Sequence, residues 1–303
     1  MAELRLVELY CGIGGAAAAL CGGAAGFAVR GVGAFDISEP AIAVYRHNFP
    51  GHPAAARLVD GIPSSRLAAL EADLFWLSPP CQPYTRRGHQ RHLEDSRSAT
   101  FLAALGHLAV CRPPYVALEN VAGFETSPAR DRLLATLDAA GYGAVQERLL
   151  CPSELGWPNR RPRYYLLAAR GRLEPPQSPR RPARLAELLD PGAGAASGLE
   201  LAPELAARYA AALDRVDPQD EAALASCFTA AYGRSPVRSG SYLELGGGRL
   251  RRFSPEEVLR LLGFPAGFGF PPGIPRQLAW RLAGNSLSLP AVQAVLASIP
   301  ATR

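Results

Sequence analysis

The sequence predicts an α/β protein: an open, mainly parallel sheet with helices on its faces, followed by a smaller second domain. Three observations carry that expectation. Short apolar runs bounded by turn residues alternate with segments of helical spacing through the first half of the chain. One of them, Leu74-Phe75-Trp76-Leu77, stops at Ser78-Pro79-Pro80, as a buried parallel strand does where proline ends the ladder. From about Leu173 the texture changes, and Pro175, Pro176, Pro179 and Pro182 read as a linker. The expected division is a large domain over 1–174, a small one over 175–275, and a C-terminal return to the large domain over 276–303.

Taken in order, Leu4 to Tyr10 alternates like a strand, and Gly12-Ile13-Gly14-Gly15 turns into an alanine-rich helix through about Ala25. Glycines at such a turn let a ligand approach the backbone, and the helix start offers free amide groups. A second strand, Val29 to Phe35, ends in Asp36, where a carboxylate can accept both hydroxyls of a ribose. Ser38 caps a helix over Glu39 to Asn48, and Ala55 to Val59 reads as a third strand ending at Asp60. Asp60 is either a turn residue or a partner for the exocyclic amine of an adenine.

Cys81 follows the two prolines at the carboxyl end of a strand, the edge of an open α/β sheet where ligands gather. The next segment, with Arg86, Arg87 and Arg91, suits phosphate contact. Asp95 caps a helix from Arg97 to about Cys111. Tyr115 to Leu118 is another buried strand, and it delivers Glu119-Asn120-Val121 to the same edge. A helix near Ala129 to Ala140, a strand near Ala144 to Leu150 and a strand over Tyr164 to Ala168 follow. The last is preceded by Asn159-Arg160-Arg161-Pro162-Arg163. In the smaller domain, helices are expected over Leu185 to Asp190 and Pro203 to Arg215. Irregular or hairpin structure is expected around Cys227 to Gly233 and Gly240 to Gly248. Ser254-Pro255-Glu256-Glu257 starts a helix with proline at its first position, and a last helix covers Pro290 to Ser298.

Composition narrows the classes. In 303 residues, 48% hydrophobic, no apolar run approaches the roughly 20 residues of a membrane span. The N-terminus shows no leader pattern, so a cytoplasmic protein without membrane attachment is expected. Six cysteines lack C-x-x-C spacing and signal neither a metal site nor a redox motif. The net charge of +5, carried by arginine with no lysine, admits a polyanionic partner.

A cysteine, a glutamate and two arginines at one sheet edge suit methylation at C5 of a pyrimidine. That carbon is a poor nucleophile until a thiolate adds to C6 and makes it an enamine carbon. Cys81 supplies the sulfur, Glu119 bonds N3 and the exocyclic amine, and Arg161 and Arg163 hold the base carbonyl and adjacent phosphate. The target base must be flipped or unpaired.

Five motifs in order then carry a family resemblance: Tyr10-Cys11-Gly12-Ile13-Gly14-Gly15, Ser78-Pro79-Pro80-Cys81-Gln82, Glu119-Asn120-Val121, Asn159-Arg160-Arg161-Pro162-Arg163 and Gly284-Asn285-Ser286. The chain resembles the cytosine-5 methyltransferases from end to end. The resemblance implies the S-adenosylmethionine-dependent methyltransferase (Rossmann-like) fold with a target-recognition domain. It makes Cys81 the nucleophile and Glu119, Arg161 and Arg163 its partners. It implies S-adenosyl-L-methionine as cofactor, bound by Ile13, Gly14, Gly15, Asp36, Ile37, Asp60, Ser78 and Ser286. Cys227-Phe228-Thr229 with Tyr232-Gly233, and Leu261-Leu262-Gly263-Phe264-Pro265, resemble the tRNA-methylating branch. That implies a substrate cytosine at tRNA position 38, with Gln82, Arg86, Arg87, Asn120, Cys227, Phe228 and Thr229 facing the RNA. Tyr84 and Ala230 depart from that branch's pattern, which usually has phenylalanine and a basic residue there.

The alternatives are a DNA cytosine-5 methyltransferase of a restriction-modification system, which shares every catalytic residue, and a catalytically silent RNA-binding module. A nicotinamide-dependent oxidoreductase also fits Gly12-x-Gly14-x-x-Ala17 with Asp36, but leaves Pro80-Cys81, Glu119 and the arginine pair unexplained. No homodimer is signalled, and a monomer is expected.

Overall fold

The computed structural model describes residues 3–21, 28–80, 96–178, 182–192 and 198–301. Cys81, Gln82, Arg86, Arg87 and the expected cap Asp95 lie outside the described residues. The chain forms two units: Met1–Leu150, Pro162–Ser178 and Val292–Arg303 make the first, and Cys151–Arg161 with Pro179–Ala291 the second.

The first unit is built on a seven-stranded sheet of β1 Glu3–Leu9, β2 Ala28–Asp36, β3 Ala54–Ala56, β4 Leu74–Leu77, β5 Tyr115–Val121, β6 Ala144–Leu150 and β7 Arg163–Ala169, in the order β3-β2-β1-β4-β5-β7-β6. The first five run parallel to one another. The order reverses between β1 and β4, the topological switch at which open α/β sheets bind ligands. All four side chains of β4 are buried, as expected of a strand covered on both faces. Its helices are α1 Gly15–Cys21, α2 Glu39–Asn48, α3 Ser64–Ala68, α4 Ser96–Cys111 and α5 Pro128–Ala139. Ser38 Oγ accepts from Ala41 N at 3.3 Å and Ser127 Oγ from Arg130 N at 3.3 Å, so both α2 and α5 begin at a serine cap followed by proline in the first turn. Phe101, Leu105 and Leu108 of α4 and Leu133 and Leu137 of α5 close over Phe75, Leu77, Val116 and Leu118.

β7 is antiparallel to both β5 and β6. The chain leaves the sheet at Leu150 and re-enters at Pro162. β7 therefore starts at the edge where β5 ends, with Val121 opposite Arg163. Within the first unit, Gln293 Nε2 donates to the Ala19 carbonyl at 2.9 Å and Glu174 N to the Ser298 carbonyl at 2.8 Å.

The second unit has a three-stranded sheet, β10-β9-β8, formed by β8 Asp214–Val216, β9 Ser241–Glu244 and β10 Leu250–Arg252. Its helices are α6 Pro203–Arg208, α7 Pro255–Leu261 and α8 Arg276–Gly284, and it includes the start of α9 Leu289–Leu296. Phe228 packs edge-on against Tyr232 and Phe253 at 4.8 and 5.1 Å between ring centroids. Ser254 and Glu257 form a reciprocal capping box at α7, and the same Glu257 takes a bidentate bond from buried Arg251 at 2.8 and 2.9 Å.

Several boundaries differ from expectation. The helix over Pro203 to Arg215 ends at Arg208, and its last residues pair as β8 with β9. Leu185–Leu188 is a single 3₁₀ turn. α8 was not expected as a helix. It stays with the second unit because Gly284 lies against the Thr229 main chain, where a Cβ would sit 2.4 Å from the carbonyl oxygen, and Gly233 lies against the Trp280 ring. The second unit runs to Ala291, and it also takes in Cys151–Arg161.

Candidate active site

In the first unit, the carboxyl ends of β1, β2, β4 and β5 bring the Gly12–Gly15 turn, Asp36, Ser78 and Glu119 to one edge. β1 gives way to a turn in which Tyr10, Gly12 and Gly14 all have positive φ, at 60°, 52° and 94°. Gly14 is required twice over, by its φ and because a Cβ would stand 2.7 Å from the Phe49 ring. At Gly12 a Cβ would meet nothing within 4 Å, so that turn presents bare main chain to open space. Ile13 is buried.

Asp36 fixes this turn: Oδ2 accepts from Gly12 N at 2.9 Å and Oδ1 from Ser38 N at 2.8 Å. Each oxygen keeps lone-pair capacity for a further donor. The neighbouring Ile37 is 68% exposed, an apolar surface beside a carboxylate at a strand end. Asp60 does not end a strand. β3 stops at Ala56, and Val59–Gly61 is a 3₁₀ turn that leaves Asp60 exposed. Ser78 follows β4, half-buried, its Oγ accepting from Trp76 Nε1 at 2.8 Å.

Glu119 and Asn120 lie within β5, not beyond it, and both are buried. Glu119 Oε1 is 3.2 Å from Arg163 Nε, and Asn120 Nδ2 donates to the Pro79 carbonyl at 3.3 Å, tying β5 to the residues just before Cys81. The guanidinium gives the carboxylate a fixed orientation.

In the second unit Arg161 has a different place from the one expected. It is buried, and its Nη1 donates to the Phe228 carbonyl at 3.0 Å and lies 3.4 Å from Cys227 Sγ. Nη2 bonds the carbonyls of Gly284 and Ser286. The fork is spent on main chain, so Arg161 pins Cys227-Phe228 to Gly284–Ser286 and does not stand open to a base. Phe228 is likewise buried in the aromatic cluster, whereas Cys227 and Thr229 are half-buried.

The sequence reading missed three residues under the first unit's edge. Glu8 is fully buried in β1, accepting from Tyr45 OH at 2.6 Å and Ala17 N at 3.4 Å, and burial pushes its carboxyl up to about 7. His107 of α4 is buried, with Nδ1 2.8 Å from Ser64 Oγ and Nε2 2.9 Å from the Val59 carbonyl, so it holds both ends of the turn that carries Asp60. Tyr10 OH donates to the Thr100 carbonyl of α4 at 2.7 Å. The only sequence signal was a polar residue interrupting an apolar strand or helix face. Among the described residues no group of three His, Cys, Asp or Glu is placed to hold a metal ion, and no helix is long and apolar enough to cross a membrane.

Comparison with known proteins gives a consistent result. Residues 4–190 and 214–301 match the family described as C-5 cytosine-specific DNA methylase. The chain is 32% identical over 391 residues to a tRNA (cytosine(38)-C(5))-methyltransferase of Rattus norvegicus, covering 98% of this chain and 99% of the relative. A Homo sapiens protein of the same name is 31% identical, covering 95% and 97%. The crystal structure of the S. pombe Dnmt2 methyltransferase superposes with a TM-score of 0.84 at 27% identity, covering 98% of each chain.

Proposed function

The chain belongs to the C-5 cytosine-specific DNA methylase family and is a cytosine-5 methyltransferase, and from that premise we propose that it methylates the cytosine at position 38 of a tRNA with S-adenosyl-L-methionine as donor. The observation that carries the substrate is the end-to-end match to relatives named for that tRNA position, alongside the Cys227-Phe228-Thr229 segment.

The first unit's edge suits the donor. The open main chain at Gly12, the Asp36 carboxylate and the exposed Ile37 fit a glycine turn, a ribose diol and an adenine face, with Asp60 for the exocyclic amine. Gly14, Gly15 and Ser78 complete the proposed donor-binding set of this edge. Bound there, S-adenosyl-L-methionine supplies an electrophilic methyl group.

The protein's own residues do the rest. The Cys81 thiolate adds to C6 of the cytosine, forming a C–S bond and making C5 nucleophilic. As the ring takes up the electron pair N3 gains a proton, and Glu119, held by Arg163, accepts from that N3–H and from the exocyclic amine, stabilising the protonated ring. Once C5 carries the methyl, loss of its proton to a base returns the electron pair, and the C6–S bond breaks to regenerate the thiolate. Arg161 acts by positioning, through the segments it pins. A loop base is already splayed, which suits an enzyme that takes the ring from one face. Work on tRNA also supports the cytoplasmic reading.

The test is transfer of labelled methyl to total tRNA and to duplex DNA, with Cys81→Ala alongside. Transfer to tRNA that vanishes in the variant is expected. Transfer to duplex DNA in place of tRNA would overturn the substrate.

A further inference from the structure

We propose that Arg234 and Arg238 form a phosphate-contacting pair, a point of attachment for the RNA backbone on the loop that follows Cys227-Phe228-Thr229. The inference rests on the reading of the substrate as tRNA.

The local charge is one-sided. From Ala222 to Leu243 the sequence contains no acidic residue, and its two charged side chains are Arg234 and Arg238. Both are exposed. Among the described residues neither has an ion-pair, side-chain hydrogen-bond or ring partner, whereas Arg184 and Arg249 of the same unit pair with Glu221 at 2.7 Å and Glu200 at 3.6 Å.

The loop that carries them is cross-braced. Thr229 N bonds the Ser239 carbonyl at 2.9 Å, Ser239 Oγ the Ser235 carbonyl at 2.6 Å, and Ser235 Oγ the Val237 carbonyl at 3.0 Å. Its two ends are glycines seated on rings. A Cβ on Gly233 would lie 2.4 Å from Trp280, and one on Gly240 would lie 2.5 Å from Phe228. Within this frame Arg238 holds φ 56°, a left-handed conformation that an arginine keeps only where its surroundings impose it. A glycine would serve that backbone better, so the fold itself gives no reason for an arginine there.

Two arginines on one braced loop, uncommitted within the protein, match the chemistry of successive phosphates. The guanidinium fork bonds phosphate oxygens bidentately, and such contacts set position without reading sequence. The loop begins at Thr229, next to the residues whose main chain Arg161 holds.

The experiment measures tRNA binding across a salt series for the full-length wild type, Arg234→Ala/Arg238→Ala and Arg238→Gly, with methyl transfer at saturating tRNA in parallel. The double variant is expected to bind tRNA about tenfold more weakly near physiological salt, with the log K against log[salt] slope shallower by about 1.5 to 2. Its S-adenosyl-L-methionine affinity and its maximal rate are unchanged. Arg238→Gly is expected to be more heat-stable than wild type yet to bind tRNA more weakly, a combination that a purely structural role does not produce. An unchanged salt slope in the double variant overturns the pair as a phosphate contact. Failure of the wild type itself to methylate tRNA would overturn the substrate reading instead, before the variants are compared.

Discussion

Arg163 Nε reaches Glu119 Oε1 at 3.2 Å because β7 runs antiparallel to β5, so that the first residue of one strand stands beside the end of the other. An all-parallel sheet would have put Arg163 at the opposite edge. The reversal of β7 thus assembles the pair that faces the base in the proposed mechanism. Arg163→Leu is expected to lower the maximal rate of methyl transfer by about 10²- to 10³-fold, and Glu119→Gln by a similar factor, each with S-adenosyl-L-methionine affinity within twofold of wild type. Single-turnover rates with calorimetric donor binding check this. A large loss of donor affinity with an intact rate would contradict it.

Arg161 is expected to fail differently. Arg161→Leu removes the donors from the Phe228, Gly284 and Ser286 carbonyls together, and each buried acceptor left unsatisfied costs about 1 to 3 kcal/mol. Chemical unfolding should show the loss, with Arg161→Lys between the two. Wild-type stability in Arg161→Leu would mean that the carbonyls find other partners.

His107 clamps the turn that presents Asp60. Its Nε2 bonds Val59 and its Nδ1 meets Ser64. His107→Leu strands the buried Val59 carbonyl and leaves the half-buried Ser64 hydroxyl without its partner, and is expected to cost about 1 to 3 kcal/mol and to weaken donor binding several-fold. His107→Gln should recover part of both. Combining His107→Leu with Asp60→Ala tests the route, since the two effects on donor affinity should overlap instead of adding.

Glu8 sets a pH dependence. Its folded-state pKa, near 7, lies above the ordinary value of 4.5, so the folded protein holds a proton that the unfolded chain has released. The stability linked to Glu8 is therefore complete below about pH 4.5 and is lost as pH rises through 7, by about 3 kcal/mol. Glu8→Gln keeps an acceptor for Tyr45 and removes the titration. Its advantage over wild type in urea unfolding should grow between pH 5.5 and 8, and a constant difference would contradict the assignment.

How far the sequence reveals this arrangement depends on where the information is local. α2 was legible to the residue because Ser38, Glu39 and Pro40 are a complete helix start, and β4 because two prolines end it. The Ser254–Glu257 start of α7 was legible for the same reason. The turn at Val59–Gly61 was not, since what bends it away from a strand is His107, far along the chain. Nor was the role of Arg161. The Arg161-Pro162-Arg163 tripeptide places two like side chains side by side in sequence, and only the boundary between the units at Arg161 and Pro162 sends one into a core and the other to Glu119. Helix α8 was hidden because the packing of Gly284 and Trp280 that holds it lies outside its own sequence.

The central claim is a covalent cysteine adduct on one cytosine of a tRNA loop, and a trapped adduct tests it most directly. Fluorine at C5 cannot be lost as the proton is, so an anticodon stem-loop carrying 5-fluorocytosine at position 38 should hold the enzyme through its C6–S bond after methyl transfer. With S-adenosyl-L-methionine present, a denaturation-resistant enzyme–RNA complex is expected for the wild type and not for Cys81→Ala. None is expected when the fluorinated base is moved to another loop position. A complex that forms without Cys81, or equally at any loop cytosine, would contradict the account.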